Sequence, residues 1–144
     1  MIVPDANLLL YAYDADSPFH EAARSWWQAC LSGREAVGLT NPTLFAFLRV
    51  STNARIYEKP MTLAESAEHM RSWLARRVSQ VLQAPADHVQ QVIGLLESAG
   101  AAAGNLVTDA QIAALALSHR AVVHTADRDF LRFRGVRCHF PLDE

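Results

Sequence analysis

The sequence predicts an α/β fold in which helices cover both faces of a mainly parallel β-sheet. Short apolar segments of strand length alternate with longer segments in which apolar residues recur every three or four positions. Successive strands separated by helices are joined by right-handed crossovers, and such strands lie parallel in a covered sheet. Because the chain has 144 residues and is 51% hydrophobic, we expect a single domain over residues 1–144 with a sizeable core.

Strands are predicted where the apolar runs are short. The first run, 2–4, ends at an acidic residue, Asp5. The small residues of 100–104 indicate a loop. The other predicted strands are 36–39, 78–82, 121–124 and 136–140, with the last at an edge of the sheet.

Helices are predicted from their start signals. Ser17 with Pro18, and Asn41 with Pro42, each pair a capping residue with a proline, whose missing N–H has no partner in the first helical turn anyway. The first of these helices is expected to end near Gly33. The segments 62–65 and 108–111 begin with Thr and end with Glu or Gln, which is the pattern of a capping box.

Apolar stripes indicate which helix faces are buried. The helix after Thr62 is expected to bury Leu63, Ala67, Met70 and Leu74. A helix over 86–97 is expected to bury Val89, Val92, Ile93 and Leu96.

Composition excludes several classes of protein. Charged residues make up 19% of the chain and the formal net charge is -2, so bulk charge predicts no particular partner. The two cysteines, Cys30 and Cys138, form no paired framework, which is typical of a reducing cytoplasm. No apolar run approaches the roughly 20 residues that span a bilayer, so we expect a soluble cytoplasmic protein with no membrane segment.

Three acidic residues are expected at one edge of the sheet. Asp5 and Asp127 follow strands whose carboxyl ends share an edge if the strands are parallel, and Asp109 lies on the helix face that carries Ile112 and Ala116. An inward carboxylate is costly unless it is paired. The alternative interpretations are a helix cap for Asp5 and a first-turn, helix-dipole role for Asp109.

Carboxylates that converge in this way predict a divalent cation site. Oxygen ligands without His or Cys partners favour Mg²⁺ or Mn²⁺, and such an ion would offset the mutual repulsion of the acids. A bound ion of this kind supports phosphodiester hydrolysis. A zinc site is disfavoured, since its candidate ligands lack CxxC or HxxxH spacing: His119, His124, Cys138 and His139.

The chain resembles the PIN-domain ribonucleases and, within them, the VapC toxins of prokaryotic toxin–antitoxin pairs. The resemblance rests on IVPDANLL at 2–9, GNLVTDA at 104–110 with AALA at 113–116, and TADRDF at 125–130. It extends over essentially the whole chain, and the order and spacing of the motifs make the set specific.

The resemblance implies a PIN-like fold with a five-stranded sheet and a metal-dependent endoribonuclease activity. Asp5 and Asp109 match the family's Mg²⁺ ligands, and Asp127 matches a further active-site acid. Asn7 matches the polar residue that supports the first Asp, and Asp129 is expected to assist, although a turn or helix cap is the stronger interpretation of Asp129 alone. The resemblance also implies a small antitoxin partner and a homodimer.

One position departs from the family pattern. Family members usually carry a Glu on the helix after the second strand, whereas TLFAFLR at 43–49 has Ala46 there, and no acid occurs between Glu35 and Glu58. The number of metal ions and the activity level are therefore open. The alternative function is a catalytically weakened module that binds RNA or a partner protein without cleavage.

Two surfaces are candidates for binding. Arg128 and Arg132, with Arg134 and Arg137, and separately Arg49, are candidates for RNA phosphate contacts, with a solvated surface as the alternative. The helix over 19–31 carries an apolar stripe broader than sheet packing requires, which indicates either core or a groove for an amphipathic antitoxin helix. The stripe is Phe19, Ala23, Trp26, Trp27 and Cys30, and Trp73 is expected beside the same groove.

A phosphatase of another Rossmann-like family is the third interpretation. Its nucleophile and acid pair would need a second Asp at position 7, where this chain has Asn7.

Overall fold

The computed structural model describes residues 1–100 and 103–143. Five parallel strands form one sheet in the order β3-β2-β1-β4-β5, so the predicted α/β class, strand number and edge position of the last strand are confirmed. The strands are β1 (Ile2–Pro4), β2 (Val37–Leu39), β3 (Ser79–Val81), β4 (Val122–His124) and β5 (Arg137–His139).

Helices occupy both faces of this sheet. Within the described residues the α-helices are α1 (Ala6–Tyr13), α2 (His20–Ser32), α3 (Asn41–Ser51), α4 (Leu63–Leu74), α5 (His88–Ala99) and α6 (Val107–Ser118). Short 3₁₀ helices cover Ala103–Asn105, Arg128–Arg132 and Pro141–Asp143. No helix among the described residues has the length and apolarity needed to cross a bilayer.

Side chains of β1 point alternately to the two faces of the sheet, and a separate layer of the core lies on each face. Ile2 packs with buried residues of α1 to α4, whereas its neighbour Val3 packs with those of α5 and α6. Successive side chains of a strand point to opposite faces, so the central strand contributes to both layers. The carboxyl end of β1 therefore lies between two packed layers, and Asp5 follows it directly.

The two helix starts predicted from a capping residue and a proline need correction. The helix expected from Ser17 and Pro18 begins at His20 without a side-chain cap, because the Ser17 hydroxyl instead accepts a hydrogen bond from the Phe19 N–H in a local turn (3.1 Å). The cap of α3 is Thr40, whose Oγ1 accepts from the Thr43 N–H at 3.2 Å. The two prolines thus mark helix starts only to within one or two residues.

The two predicted capping boxes have opposite outcomes. The box at 62–65 is confirmed, with the Thr62 hydroxyl and the Glu65 carboxylate each accepting the other residue's backbone N–H. The box at 108–111 is wrong, because the cap of α6 is Leu106, two residues before Thr108, and it makes no side-chain cap bond. Leu106 is buried, so packing of this residue sets the start of α6.

The segment predicted as a loop, 100–104, is described only in part. Gly100 ends α5 with a φ of 63°, a left-handed conformation that favours glycine. The 3₁₀ helix Ala103–Asn105 includes the last residues of the segment 100–104. Residues 101 and 102 lie outside the described residues.

The buried faces of two helices differ from those predicted. In α4, Leu63 and Leu74 are 66% and 42% exposed, while Ser66 and Trp73 are fully buried. The Ser66 hydroxyl bonds that of Ser51 at 2.7 Å, and a small polar pair of this kind lets α4 approach α3 closely. In α5 the buried residues are Val92 and Leu95, whereas Val89 and Ile93 are exposed and Leu96 is half-buried.

Trp73 is the largest fully buried side chain and not part of a surface groove, which corrects its predicted position. Its ring meets those of Trp27 and Phe47 edge to face, with ring centroids 5.6 and 4.7 Å away. Its Nε1 donates to the Tyr13 hydroxyl at 2.7 Å. Trp73 therefore ties α4 to three other helices.

Replacing Trp73 by Ala is expected to lower the free energy of unfolding by about 3–5 kcal/mol, because it leaves a cavity at this junction. The neighbouring Leu74→Ala serves as the matched control and should cost less, about 1 kcal/mol, since Leu74 is 42% exposed whereas Trp73 is fully buried. Urea unfolding followed by circular dichroism measures both values. A larger loss for Leu74→Ala would contradict the observed packing of α4.

Candidate active site

Asp5 lies at the carboxyl end of the central strand and is only 4% exposed. Its N–H donates to the His124 carbonyl on the adjacent strand at 2.9 Å. Its Oδ1 accepts from the Ala6 N–H at 2.7 Å, so Asp5 caps α1, as the cap interpretation proposed. Its Oδ2 accepts from the Thr125 hydroxyl at 2.8 Å. Each carboxylate oxygen thus accepts one hydrogen bond and keeps one lone pair for a further partner.

Thr125 links Asp5 to Asp127 and was not identified from the sequence. Its side chain is fully buried, and its Oγ1 donates to Asp5 while accepting from the Asp127 N–H at 2.9 Å. Its own N–H donates to the His139 carbonyl on β5 at 3.0 Å. The available signal was a hydroxyl residue directly after a strand and two residues before an acid.

Asp109 lies in the first turn of α6 and is half-buried. Its helix face carries Ile112 and Ala116, both of which are buried, so the predicted inward direction of this face is confirmed. Burial and the nearby carboxylates of Asp5, Asp127 and Asp129 raise the pKa of Asp109 to about 7. The three predicted acids therefore lie close enough for their charges to interact.

Asp5 experiences the same two effects. Burial raises the pKa of Asp5 to about 6, and the charge of Asp127 adds to the rise, while the hydrogen bonds from Thr125 and Ala6 lower it in part. Among the described residues, the ion pairs involve none of Asp5, Asp109 and Asp127. The cluster thus has an excess of negative charge that no neighbouring cation balances.

Asp127 and Asp129 follow β4 in a tight turn. Asp127 caps the 3₁₀ helix Arg128–Arg132, and its Oδ1 accepts from the Asp129 N–H at 2.9 Å. The Asp129 side chain is 49% exposed and lies 3.7 Å from the Arg132 guanidinium. The Asp127 side chain is therefore fixed by its cap bond. The Asp129 side chain lies at the exposed edge of the cluster, where it is near Arg132 and its charge still acts on Asp109.

Asn7 does not support Asp5 in the way the resemblance implies. It is exposed in the first turn of α1, and the hydrogen bonds to the Asp5 carboxylate come from Ala6 and Thr125 among the described residues. An outward position in α1 leaves Asn7 available to solvent or to a ligand.

Ala46 lies on the face of α3 that packs against the end of β1. Thr43, three residues earlier on that face, donates from its Oγ1 to the Pro4 carbonyl at 3.1 Å. Ala46 itself is buried, 7% exposed. A methyl group therefore occupies the position on α3 where the resemblance implies a Glu.

The donor set suits a hard cation held partly by water. No three His, Cys, Asp or Glu side chains in residues 1–100 and 103–143 lie in positions that could hold a metal ion by themselves. Mg²⁺, by contrast, usually binds one or two carboxylates, keeps several waters and accepts oxygens from its substrate. Two carboxylates with raised pKa values fit that mode of binding.

The arginines predicted to contact phosphate lie on the surface. Arg128 forms an ion pair with Asp143, and its guanidinium lies 3.8 Å from the centre of the Phe140 ring. Arg132 also donates to the Ala99 carbonyl at 3.2 Å, while Arg49 is exposed on α3. Arg134 is exposed, and Arg137 donates to the Arg120 carbonyl at 2.7 Å.

The apolar stripe of α2 is mostly core. Ala23, Trp27 and Cys30 are buried, whereas Phe19 is 45% exposed. Trp26 is half-buried, and its Nε1 donates to His124 Nδ1 at 3.0 Å. Burial and the neighbouring His139 lower the pKa of His124 to about 4, so this nitrogen remains an acceptor at neutral pH.

Comparison with known proteins places this arrangement in a family. The sequence model of the PIN domain matches residues 2–136. Ribonuclease VapC33 of Mycobacterium tuberculosis is 40% identical over 144 residues, which is 100% of both chains. Ribonuclease VapC37 of the same organism is 36% identical over 137 residues, covering 95% of this chain and 94% of the relative.

Solved structures share the fold at lower identity. VapBC2 from Rickettsia felis, bound to a promoter DNA fragment, has a TM-score of 0.68 at 17% identity and covers 96% of this chain and 98% of the solved chain. Mycobacterium tuberculosis VapC20, described as a Sarcin-Ricin loop cleaving toxin, has a TM-score of 0.66 at 20% identity, covering 95% and 99%. Because the family model and the full-length relatives agree with the fold, this chain belongs to the PIN domain family.

Proposed function

We propose that this protein is a Mg²⁺-dependent endoribonuclease that hydrolyses RNA phosphodiester bonds as the toxin of a toxin–antitoxin pair. The observation that carries the proposal is the uncompensated carboxylate cluster of Asp5, Asp109 and Asp127 at the carboxyl edge of the sheet. It occurs in a chain that is 40% identical to a ribonuclease over its full length.

Asp5 and Asp109 are the residues that would hold the ion, with Mn²⁺ as an alternative to Mg²⁺. When bound, a divalent ion supplies charge that offsets both the acids and the substrate phosphate, and it lowers the pKa of a coordinated water. Only their deprotonated forms are ligands, so both acids must lose their protons when they bind the ion.

The other residues of the cluster position groups and move protons. Thr125 holds the Asp5 carboxylate in one orientation and fixes the backbone of Asp127 relative to it. Among the described residues, Asp127 uses only Oδ1 in a side-chain hydrogen bond, which leaves Oδ2 to orient the attacking water and accept its proton. Asp129 and Asn7, at the exposed edge of the acid cluster, are proposed to have supporting roles in the reaction.

Arginines beside the cluster are proposed to hold the RNA backbone. Arg128 and Arg132 follow Asp127 on an exposed 3₁₀ helix, and Arg49 is exposed on α3. The surface ion pairs of Arg128 and Arg132 contribute little to stability and can be exchanged for phosphate contacts.

A small antitoxin protein is the proposed partner, and a homodimer is the proposed assembly. Solved neighbours include a toxin–antitoxin complex from Klebsiella pneumoniae, VapBC2 of Rickettsia felis and VapBC-1 of nontypeable Haemophilus influenzae. We place the pair in the cytoplasm, where its RNA substrate is found.

Ala46 favours a second candidate function, a weakened module that binds RNA or a partner without cutting. Removing one carboxylate from a cation site reduces the charge available to hold the ion. The two functions share the fold and differ only in whether RNA is cleaved.

RNA cleavage by the purified protein, freed of any copurified partner, distinguishes these functions. We expect cleavage of structured RNA with Mg²⁺ or Mn²⁺ and none with a chelator. Asp5→Asn and Asp109→Asn should each reduce the rate by at least about 100-fold, more than the loss of an indirect metal contact. Gel electrophoresis of end-labelled RNA measures the rates.

Asp16→Asn is the matched control, because Asp16 is an exposed acid beyond the far end of α1. It should leave the cleavage rate within about 2-fold of the wild type. RNA binding without cleavage under both metals would support the weakened module instead. An active Asp5→Asn variant would remove Asp5 from the chemistry.

Without metal, Asp109 should destabilise the fold at high pH. The pKa of Asp109 is raised to about 7 from its ordinary 3.8, so the folded state retains a proton that the unfolded state has lost, and stability falls as pH rises between these values. We therefore expect Asp109→Asn to raise Tm at pH 8 in chelator by on the order of 5 °C.

The same variant should show little change in Tm at pH 4, and Mg²⁺ should raise Tm for the wild type more than for Asp109→Asn. Scanning calorimetry across this pH range measures both effects. A lower Tm for Asp109→Asn than for the wild type at pH 8 in chelator would contradict this, because it would mean that the Asp109 carboxylate has a favourable partner in the fold.

A further inference from the structure

The C-terminal segment, 140–143, lies beside the acid cluster. It follows β5, and the last residue of that strand, His139, is paired in register with His124 of β4. The Thr125 N–H also donates to the His139 carbonyl at 3.0 Å, so the two chains leave the sheet side by side. The chain that follows β4 leads to Asp127, and the C-terminal segment therefore lies next to the residues after that acid.

Arg128, which directly follows Asp127, contacts two residues of this segment. Its guanidinium carbon lies 3.8 Å from the centre of the Phe140 ring, within the distance of a cation–π interaction. Its Nη2 forms an ion pair with the Asp143 carboxylate. The segment therefore contacts the guanidinium on one face and at one edge.

The backbone of the segment is anchored independently of this ion pair. Pro141 is buried, and Leu142 packs against the core layer of α1 to α4. The Asp143 N–H donates to the Phe140 carbonyl at 3.1 Å. The Asp143 side chain, in contrast, is 57% exposed, so it can leave the guanidinium by rotation without any change in the fold.

Arg128 has the chemistry of a phosphate ligand. A guanidinium has five N–H donors in a planar fork, and it binds carboxylate and phosphate groups through the same edges. A carboxylate bound at such an edge therefore occupies a place that phosphate oxygens would take. Next to Asp127, the phosphates expected are those of an RNA strand bound at the acid cluster.

We propose that Asp143 competes with RNA for Arg128, so that the C-terminal segment makes an autoinhibitory contact which the substrate displaces. The identity of the substrate rests on the proposed nuclease function. Phe140 keeps the guanidinium beside Asp127 in both states. The exchange costs little, because solvent and salt screen an exposed ion pair, whereas a phosphate replaces it with charge-assisted hydrogen bonds.

RNA binding in the absence of cleavage tests the competition. The probe is a short, single-stranded, fluorescein-labelled RNA oligonucleotide, titrated in chelator at fixed ionic strength and followed by fluorescence anisotropy. We expect Asp143→Asn to tighten binding about 3-fold, because it removes the competing charge and preserves the size of the side chain. Arg128→Gln should weaken binding about 10-fold through the loss of a charge-assisted bond.

The double variant of Arg128→Gln with Asp143→Asn tests whether the two side chains act through each other. The tightening caused by Asp143→Asn should disappear in the Arg128→Gln background, where no guanidinium is left to release. Asp16→Asn and Arg34→Gln are the matched controls, since each removes one exposed charge elsewhere on the surface. Both controls should leave the dissociation constant within about 2-fold of the wild type.

Cleavage measured with Mg²⁺ separates this inference from the proposed function. Asp143→Asn should lower KM and leave kcat unchanged, since the carboxylate opposes substrate binding alone. Tighter RNA binding by Asp143→Asn without cleavage by any form of the protein would support the competition and overturn the nuclease function. Cleavage by the wild type, with no change of RNA affinity in Asp143→Asn, would support the nuclease function and overturn the competition.

Three further outcomes would overturn the proposal. Weaker RNA binding by Asp143→Asn would show that this carboxylate positions Arg128 for the substrate. Equal tightening with and without Arg128 would mean that Asp143 acts only as a distant negative charge. An absence of RNA binding by every form of the protein would leave nothing for Asp143 to compete with.

Discussion

The hydrogen bond from Thr125 to Asp5 is the contact on which the site depends. It joins the ends of the central strand and its neighbour β4 across the middle of the sheet, with 2.8 Å between Thr125 Oγ1 and Asp5 Oδ2. The same hydroxyl accepts the Asp127 N–H, so one buried side chain sets the relative positions of two acids that are distant in sequence. The parallel sheet brings the strand ends together, and Thr125 turns that proximity into a fixed geometry.

The cluster is stable only if its charge is reduced. Burial and mutual repulsion raise the pKa of Asp5 to about 6 and that of Asp109 to about 7, so the acids retain protons at a pH where exposed carboxyls have lost theirs. A protein gains no stability from such an arrangement, and strongly shifted acids of this kind concentrate at functional sites. A bound cation would offset the repulsion, and this is the link we propose between the architecture of the sheet edge and phosphodiester chemistry.

The sequence predicts the parts of the structure that local periodicity and chain order determine. The alternation of strands and helices gives the covered parallel sheet, and the positions of Asp5, Asp109 and Asp127 at strand and helix ends are enough to predict their convergence. Features that tertiary packing decides are harder to predict from the sequence. The start of α6 follows the burial of Leu106, not the capping pattern at Thr108, and α4 buries Trp73 because its ring fits between Trp27 and Phe47. The role of Thr125 could not be predicted from local sequence, because its hydroxyl donates to Asp5, which is 120 residues away.

Proton release on metal binding tests the central proposal, that Asp5 and Asp109 give up bound protons when they take a divalent cation. Isothermal titration calorimetry with Mn²⁺ at pH 6.5, in two buffers of different ionisation enthalpy, gives the number of protons released per ion. The pKa values near 6 and 7 predict the release of roughly one proton per bound ion, and less for Asp109→Asn. Binding with no proton release, or equal release from wild type and Asp109→Asn, would contradict the account.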